Sequence, residues 1–123
     1  MAFRPLPRTA AWYHSGARSG FEVAYFEPSH GGHRVWGCTA AVEAGETWVV
    51  EYEISIDDRW VTQHAEIVGR SVTGTRSTVL EGDGSGAWRV DGAPAPDLAG
   101  CLDVDLESSA VRTCCRCTAS TFR

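Results

Sequence analysis

One segment constrains the fold of this chain more than any other. From about Glu46 to Ile56, apolar and polar residues alternate strictly. Trp48, Val50, Tyr52, Ile54 and Ile56 fall on one face of a strand, and Glu51, Glu53 and Ser55 on the other. A period of two is the signature of a half-buried β-strand. Asp57-Asp58 makes a turn, and Trp60 to Val68 returns as the partner strand. Val61, Ala65 and Ile67 share one face of that partner; Trp60, Thr62, His64 and Glu66 share the other. Strands of about ten residues span roughly 33 Å, which predicts a large antiparallel meander that curls on itself. Burying the five residues of the Trp48 face is worth roughly 8–15 kcal/mol before chain entropy is subtracted. That face needs a cover, and no 3.6-residue amphipathic run of helix length precedes Asp97 to supply one.

The flanking segments extend the pattern. Phe21 to Phe26 and His33 to Val42 read as a hairpin closed by Pro28-Ser29-His30-Gly31-Gly32. Glu43-Ala44-Gly45 turns the chain into the Trp48 strand. Ser77 to Glu81 and Ala87 to Val90 flank Gly82-Asp83-Gly84-Ser85-Gly86, and Asp91-Gly92 and Pro94-Ala95-Pro96 break the chain. A short helix or turn is expected at Asp97 to Gly100. The expected fold class is all-β, with residues 1–9 an arm and 10–110 a single domain.

Composition removes whole classes of function. The net charge is −5, which leaves no basic stripe for a nucleic acid and no attraction to an anionic membrane surface. There is no lysine, so neither a Schiff base nor a Walker A loop is available. There is no asparagine, so no N-glycosylation acceptor exists. All 11 basic residues are arginine, which points to a GC-rich bacterial gene. Met1 to Arg8 is basic with two prolines, and neither a signal-peptide core nor a membrane-spanning run follows. A cytoplasmic protein with reduced thiols is expected.

No motif supplies a reactive centre. Cys114, Cys115 and Cys117 are crowded, whereas structural zinc sites use four ligands in spaced pairs. Ser29-His30-Gly31-Gly32-His33 reads as a polar hairpin loop with no carboxylate at ligand spacing. Gly82-Asp83-Gly84-Ser85-Gly86 feeds a strand, whereas phosphate cradles feed a helix. No catalytic residue, metal or cofactor is assigned. The tryptophans remain: Trp12, Trp36, Trp48, Trp60 and Trp88 all fall on expected strands. Aromatic faces suit sugar rings and acyl chains. Trp48, Tyr52, Trp60 and Trp88 are therefore the candidate wall of a ligand cavity, with Arg59 placed for a polar head group. The competing enzymatic reading uses His64 and Glu66, two apart on one strand, as an acid–base pair. A third reading is a non-functional gene remnant.

The string Asp97-Leu98-Ala99-Gly100-Cys101-Leu102-Asp103-Val104-Asp105-Leu106-Glu107-Ser108-Ser109 resembles the signature of a bacterial glycolipid-binding family long catalogued as a domain of unknown function. Trp12, Gly20-Phe21-Glu22, Asp57-Asp58-Arg59-Trp60, Gly82 to Trp88 and Asp91-Gly92 agree with that family in the same order. The resemblance implies a spiral β-roll and a glycolipid or other amphipathic lipid as ligand, a role assigned to the family from likeness of fold. It carries over no catalytic residue. Asp103 and Asp105 match its motif without a defined role. Residues 111–123 depart from the family, which continues with Thr-Asn-x-Leu-Pro-Val-His-Arg-Leu and further strands. With G or C in the third codon positions, the tail read one register over gives Leu-Pro-Val-His-Arg-Leu-Asp-Leu-Pro, so a frameshift near Ala110–Val111 is expected. The truncation leaves a sheet edge open to self-association. The nucleotide sequence is the check: the alternate frame is expected to encode the missing strands directly downstream, and a downstream frame without them contradicts the frameshift.

Overall fold

The computed structural model describes residues 5–101, 106 and 109. The expected tail at 111–123, including Cys114, Cys115 and Cys117, lies outside them, as do Asp103 and Asp105. Eight strands form one antiparallel sheet in sequence order: β1 (Thr9–His14), β2 (Arg18–Ser29), β3 (Gly32–Glu43), β4 (Glu46–Asp57), β5 (Thr62–Ser71), β6 (Gly74–Gly82), β7 (Trp88–Val90) and β8 (Ala93–Pro94). A 3-10 turn, Pro96–Leu98, follows. The sheet is an open meander, since β1 and β8 stand at its two edges.

The alternation acts as the residue pattern demands. Val50, Tyr52, Ile54 and Ile56 of β4 are buried, with Trp48 half-buried beside them. Cross-strand partners carry the same face outward from β4. Val35 lies opposite Ile54 on β3, and Ala65 and Ile67 lie opposite Ile54 and Tyr52 on β5. Leu80 continues the row on β6. Among the described residues the cover comes from β7 and the segment after it, not from an α-helix. Trp88, Val90, Ala95, Leu98, Cys101 and Leu106 pack against these side chains.

Strands run longer than the alternation alone indicated, because the turns are tighter. Ala44 and Gly45 both have positive φ (52° and 79°), as the two-residue turn between β3 and β4 requires. Asp91 and Gly92 do the same (50° and 83°), so this pair is a hairpin turn joining β7 to β8 rather than a break. At the start of β5 the register shifts. Ser55 pairs with His64, but Ile56 pairs with Thr62, so Gln63 is an extra residue. This bulge reverses the face expected for Thr62, which is buried beside Ile56 instead of lying with His64 and Glu66. It also places Trp60 in the connection before β5, at φ 65°, and not on a strand.

Ile54 is 1 % exposed at the centre of the core. Ile54→Ala is expected to destabilise the chain by about 2–5 kcal/mol. Chemical denaturation checks this, and a loss below about 1 kcal/mol would place the true core elsewhere.

Candidate ligand-binding site

Register sorts the inner face into rows that run across the strands. The outermost row is charged: Arg18, Glu43 and Glu46 lie side by side on β2, β3 and β4. The next carries Gly20, Ala41, Trp48 and Ser71. The third holds Glu22, Thr39, Val50, Gly69 and Arg76. Beyond these come Tyr52 and Ile67, then the wholly apolar Val35, Ile54, Ala65 and Leu80. The inner face is therefore charged at the Arg18 end and apolar around Ile54, with Glu22, Thr39 and Arg76 between them.

A cleft of about 570 Å³ opens at the charged end. Arg18, Glu43, Glu46, Trp48, Val50 and Arg76 are among its lining residues. The Arg18 guanidinium stands 5.5 Å from the centre of the Trp48 ring, within cation–π range. Arg70 also lines the cleft, and its guanidinium pairs with Glu51 at 3.2 Å. One wall thus offers an aromatic face, and the rim offers guanidinium donors and carboxylate acceptors. Such a combination holds a ring that carries hydroxyl groups.

Next to the cleft the inner face buries a carboxylate. Glu22 is 0 % exposed. Tyr52 donates its phenolic hydrogen to Glu22 Oε2 at 2.5 Å, and the Ser109 hydroxyl donates to the same oxygen. His14 Nε2 donates to Glu22 Oε1 at 2.9 Å. A buried carboxylate is tolerated only when donors surround it, and here β1, β4 and residue 109 supply them. Gly37 makes the arrangement sterically feasible. It lies directly opposite Tyr52, and a β-carbon there would sit 2.5 Å from Oη and 2.7 Å from Cζ of the phenol. Burial, and then the hydrogen bond to Glu22, push the Tyr52 hydroxyl well above the usual phenol range. Thr39, opposite Glu22 on β3, buries a hydroxyl that has no partner among the described residues.

The structure separates the residues singled out from the sequence. Trp48 lines the cleft. Tyr52 is buried, and its ring is committed to Gly37 and Glu22. Trp88 is a core residue, its indole N–H donating to the Cys101 carbonyl at 2.6 Å. Arg59 and Trp60 sit past the far end of β4, roughly 30 Å from Trp48 along the strand. There Trp60 stacks on His33 with ring centres 4.7 Å apart. His64 and Glu66 lie on the outer face, opposite Ser55 and Glu53, and do not line the cleft. Glu53 is itself held by Arg34 at 2.7 Å, which keeps its carboxyl below the usual range. Residue patterns alone missed Arg18, Arg76, His14 and Glu22. Of these, only Glu22 had a signal, since it falls in the Gly20-Phe21-Glu22 string.

Comparison with known proteins now bears on this geometry. The family model described as "Putative glycolipid-binding" matches residues 9–113. The chain belongs to this family. No curated protein matches it. A crystal structure of a DUF1089 family protein from Pseudomonas aeruginosa superposes with a TM-score of 0.62 at 23 % identity. That match covers 89 % of this chain and 55 % of the other, so the chain spans about half the length of its solved relative. At that identity the likeness shows the fold alone: the family's all-β meander is present here.

The buried phenol predicts a specific alkaline behaviour. The unfolded chain releases the Tyr52 proton near pH 10, while the folded chain holds it to higher pH. Its contribution is therefore complete below about pH 10 and lost as pH rises toward the folded value. Tyr52→Phe is expected to flatten that alkaline loss. It should also cost about 1–3 kcal/mol at neutral pH by leaving Glu22 one donor short. Urea unfolding of both proteins across rising pH tests this, and parallel alkaline slopes contradict it.

Proposed function

We propose that this chain is a non-enzymatic binding module for an amphipathic lipid with a ring-bearing head group, a glycolipid being the natural candidate. The observation that carries the reading is the cleft around Trp48, at the point where the charged row gives way to the apolar inner face. A sugar ring laid on Trp48 would meet Arg18 and Arg76 as donors and Glu43 and Glu46 as acceptors. The apolar part of the ligand would lie against Val49 and Val50, which line the cleft. Family membership supports the ligand class. Tyr52 serves the site indirectly, through its bond to Glu22 beside the cleft, whereas Trp88, Arg59 and Trp60 lie toward the other end of the sheet and take no part in it.

Native mass spectrometry of protein purified from cells is expected to show a co-purifying lipid. Trp48→Ala removes the stacking face and should weaken retention by roughly 10- to 100-fold, the equivalent of one buried aromatic side chain. His64→Ala should retain the ligand. Equal lipid occupancy in wild type and Trp48→Ala contradicts the proposal.

A further inference from the structure

The two edges of the sheet are unequally guarded. At one end, β8 is two residues long, contains Pro94, and runs directly into Pro96. Short length and proline are common devices that keep an edge strand from pairing with another chain. At the other end, β1 presents six residues, Thr-Ala-Ala-Trp-Tyr-His, with no proline and no bulge. Its only titratable groups are the Tyr13 phenol and the His14 imidazole, and the latter is turned inward onto Glu22. Among the described residues β1 pairs with β2 alone.

The hydrogen-bonding groups of β1 that have no partner among the described strands can be named. Phe26 N–H donates to the Arg8 carbonyl at 3.0 Å, so the backbone of Arg8 faces β2. Backbone direction alternates along a strand. Ala10, Trp12 and His14 therefore also face β2, and the N–H and C=O groups of Thr9, Ala11 and Tyr13 point away from the sheet. Tyr13 is 86 % exposed on the outer face.

We infer that β1 is a self-pairing edge and that its partner is β1 of a second copy of this chain, antiparallel about a twofold axis through Ala11. In that register Ala11 faces Ala11, and Thr9 faces Tyr13 of the second copy. Ala10 faces Trp12 of the second copy. Each large ring then meets a small side chain, on both faces of the extended sheet. The outward groups of both strands are satisfied by about six backbone hydrogen bonds. The inner faces of the two copies form one continuous surface, with both clefts left open.

Sedimentation velocity over a wide concentration range, with substitutions at Ala11, tests this. Wild type is expected to show a concentration-dependent dimer. Ala11→Lys places like charges opposite each other at the axis and should yield monomer, as should Ala11→Glu. Mixing the two variants should restore a dimer, because the charges then complement. Ala11→Pro removes an outward N–H without touching the β1–β2 ladder; it should abolish the dimer while its melting temperature matches that of wild type measured where wild type is monomeric. A wild-type monomer at every concentration overturns the inference. So does any assembly that the Ala11 charge variants leave unchanged.

Discussion

Everything in this structure follows from the need to keep water off one face of an open sheet. Among the described residues no α-helix shelters Tyr52, Ile54 and Ile56, and the chain instead returns over its own inner face. Leu98, Cys101 and Leu106 do that sheltering after β8. Among the described residues this cover lies over the apolar end, where Ile54 and Leu80 are fully enclosed, while Trp48 lines the cleft. A site placed there inherits a polar rim and an apolar floor without any further device.

Glu22 shows how the same face tolerates a charge. Its carboxylate draws donors from β1, from β4 and from residue 109, which fixes three distant parts of the chain relative to β2. Removing one donor from such a group costs more than a typical hydrogen bond contributes, since the acceptor stays buried. The network therefore stiffens the sheet beside the cleft while taking no direct part in it. Gly37 belongs to this arrangement as much as the polar groups do, because any side chain there would displace the phenol.

How much of this was legible in the residues depends on how one-sided each strand is. β4 alternates cleanly, and its core face and the meander built on it could be read directly. In β2 both faces hold apolar residues. Phe21, Val23 and Tyr25 look like a core face yet lie outside, while Glu22 looks solvated yet lies inside. No local pattern reveals a buried carboxylate whose donors are 8, 30 and 87 residues away. The bulge at Gln63 was likewise hidden, because one extra residue reverses the faces of a strand without altering its composition. Trp60 and Arg59 were grouped with Trp48 because chemistry was matched without distance, and a 12-residue strand separates them. Asp91-Gly92 was visible as a break, but its role as a two-residue hairpin turn depended on both residues adopting positive φ.

The central claim is that the working part of this chain is the open end of the inner face around Trp48. Heteronuclear NMR of the labelled protein, titrated with octyl glucoside below its micelle concentration, tests it most directly. The account predicts shifts concentrated at the Trp48 indole N–H and at the backbone of Gly69 to Arg76, with saturation. Shifts confined to Trp60 and His33 at the far end of β4, or spread evenly over the outer aromatic residues, would contradict it.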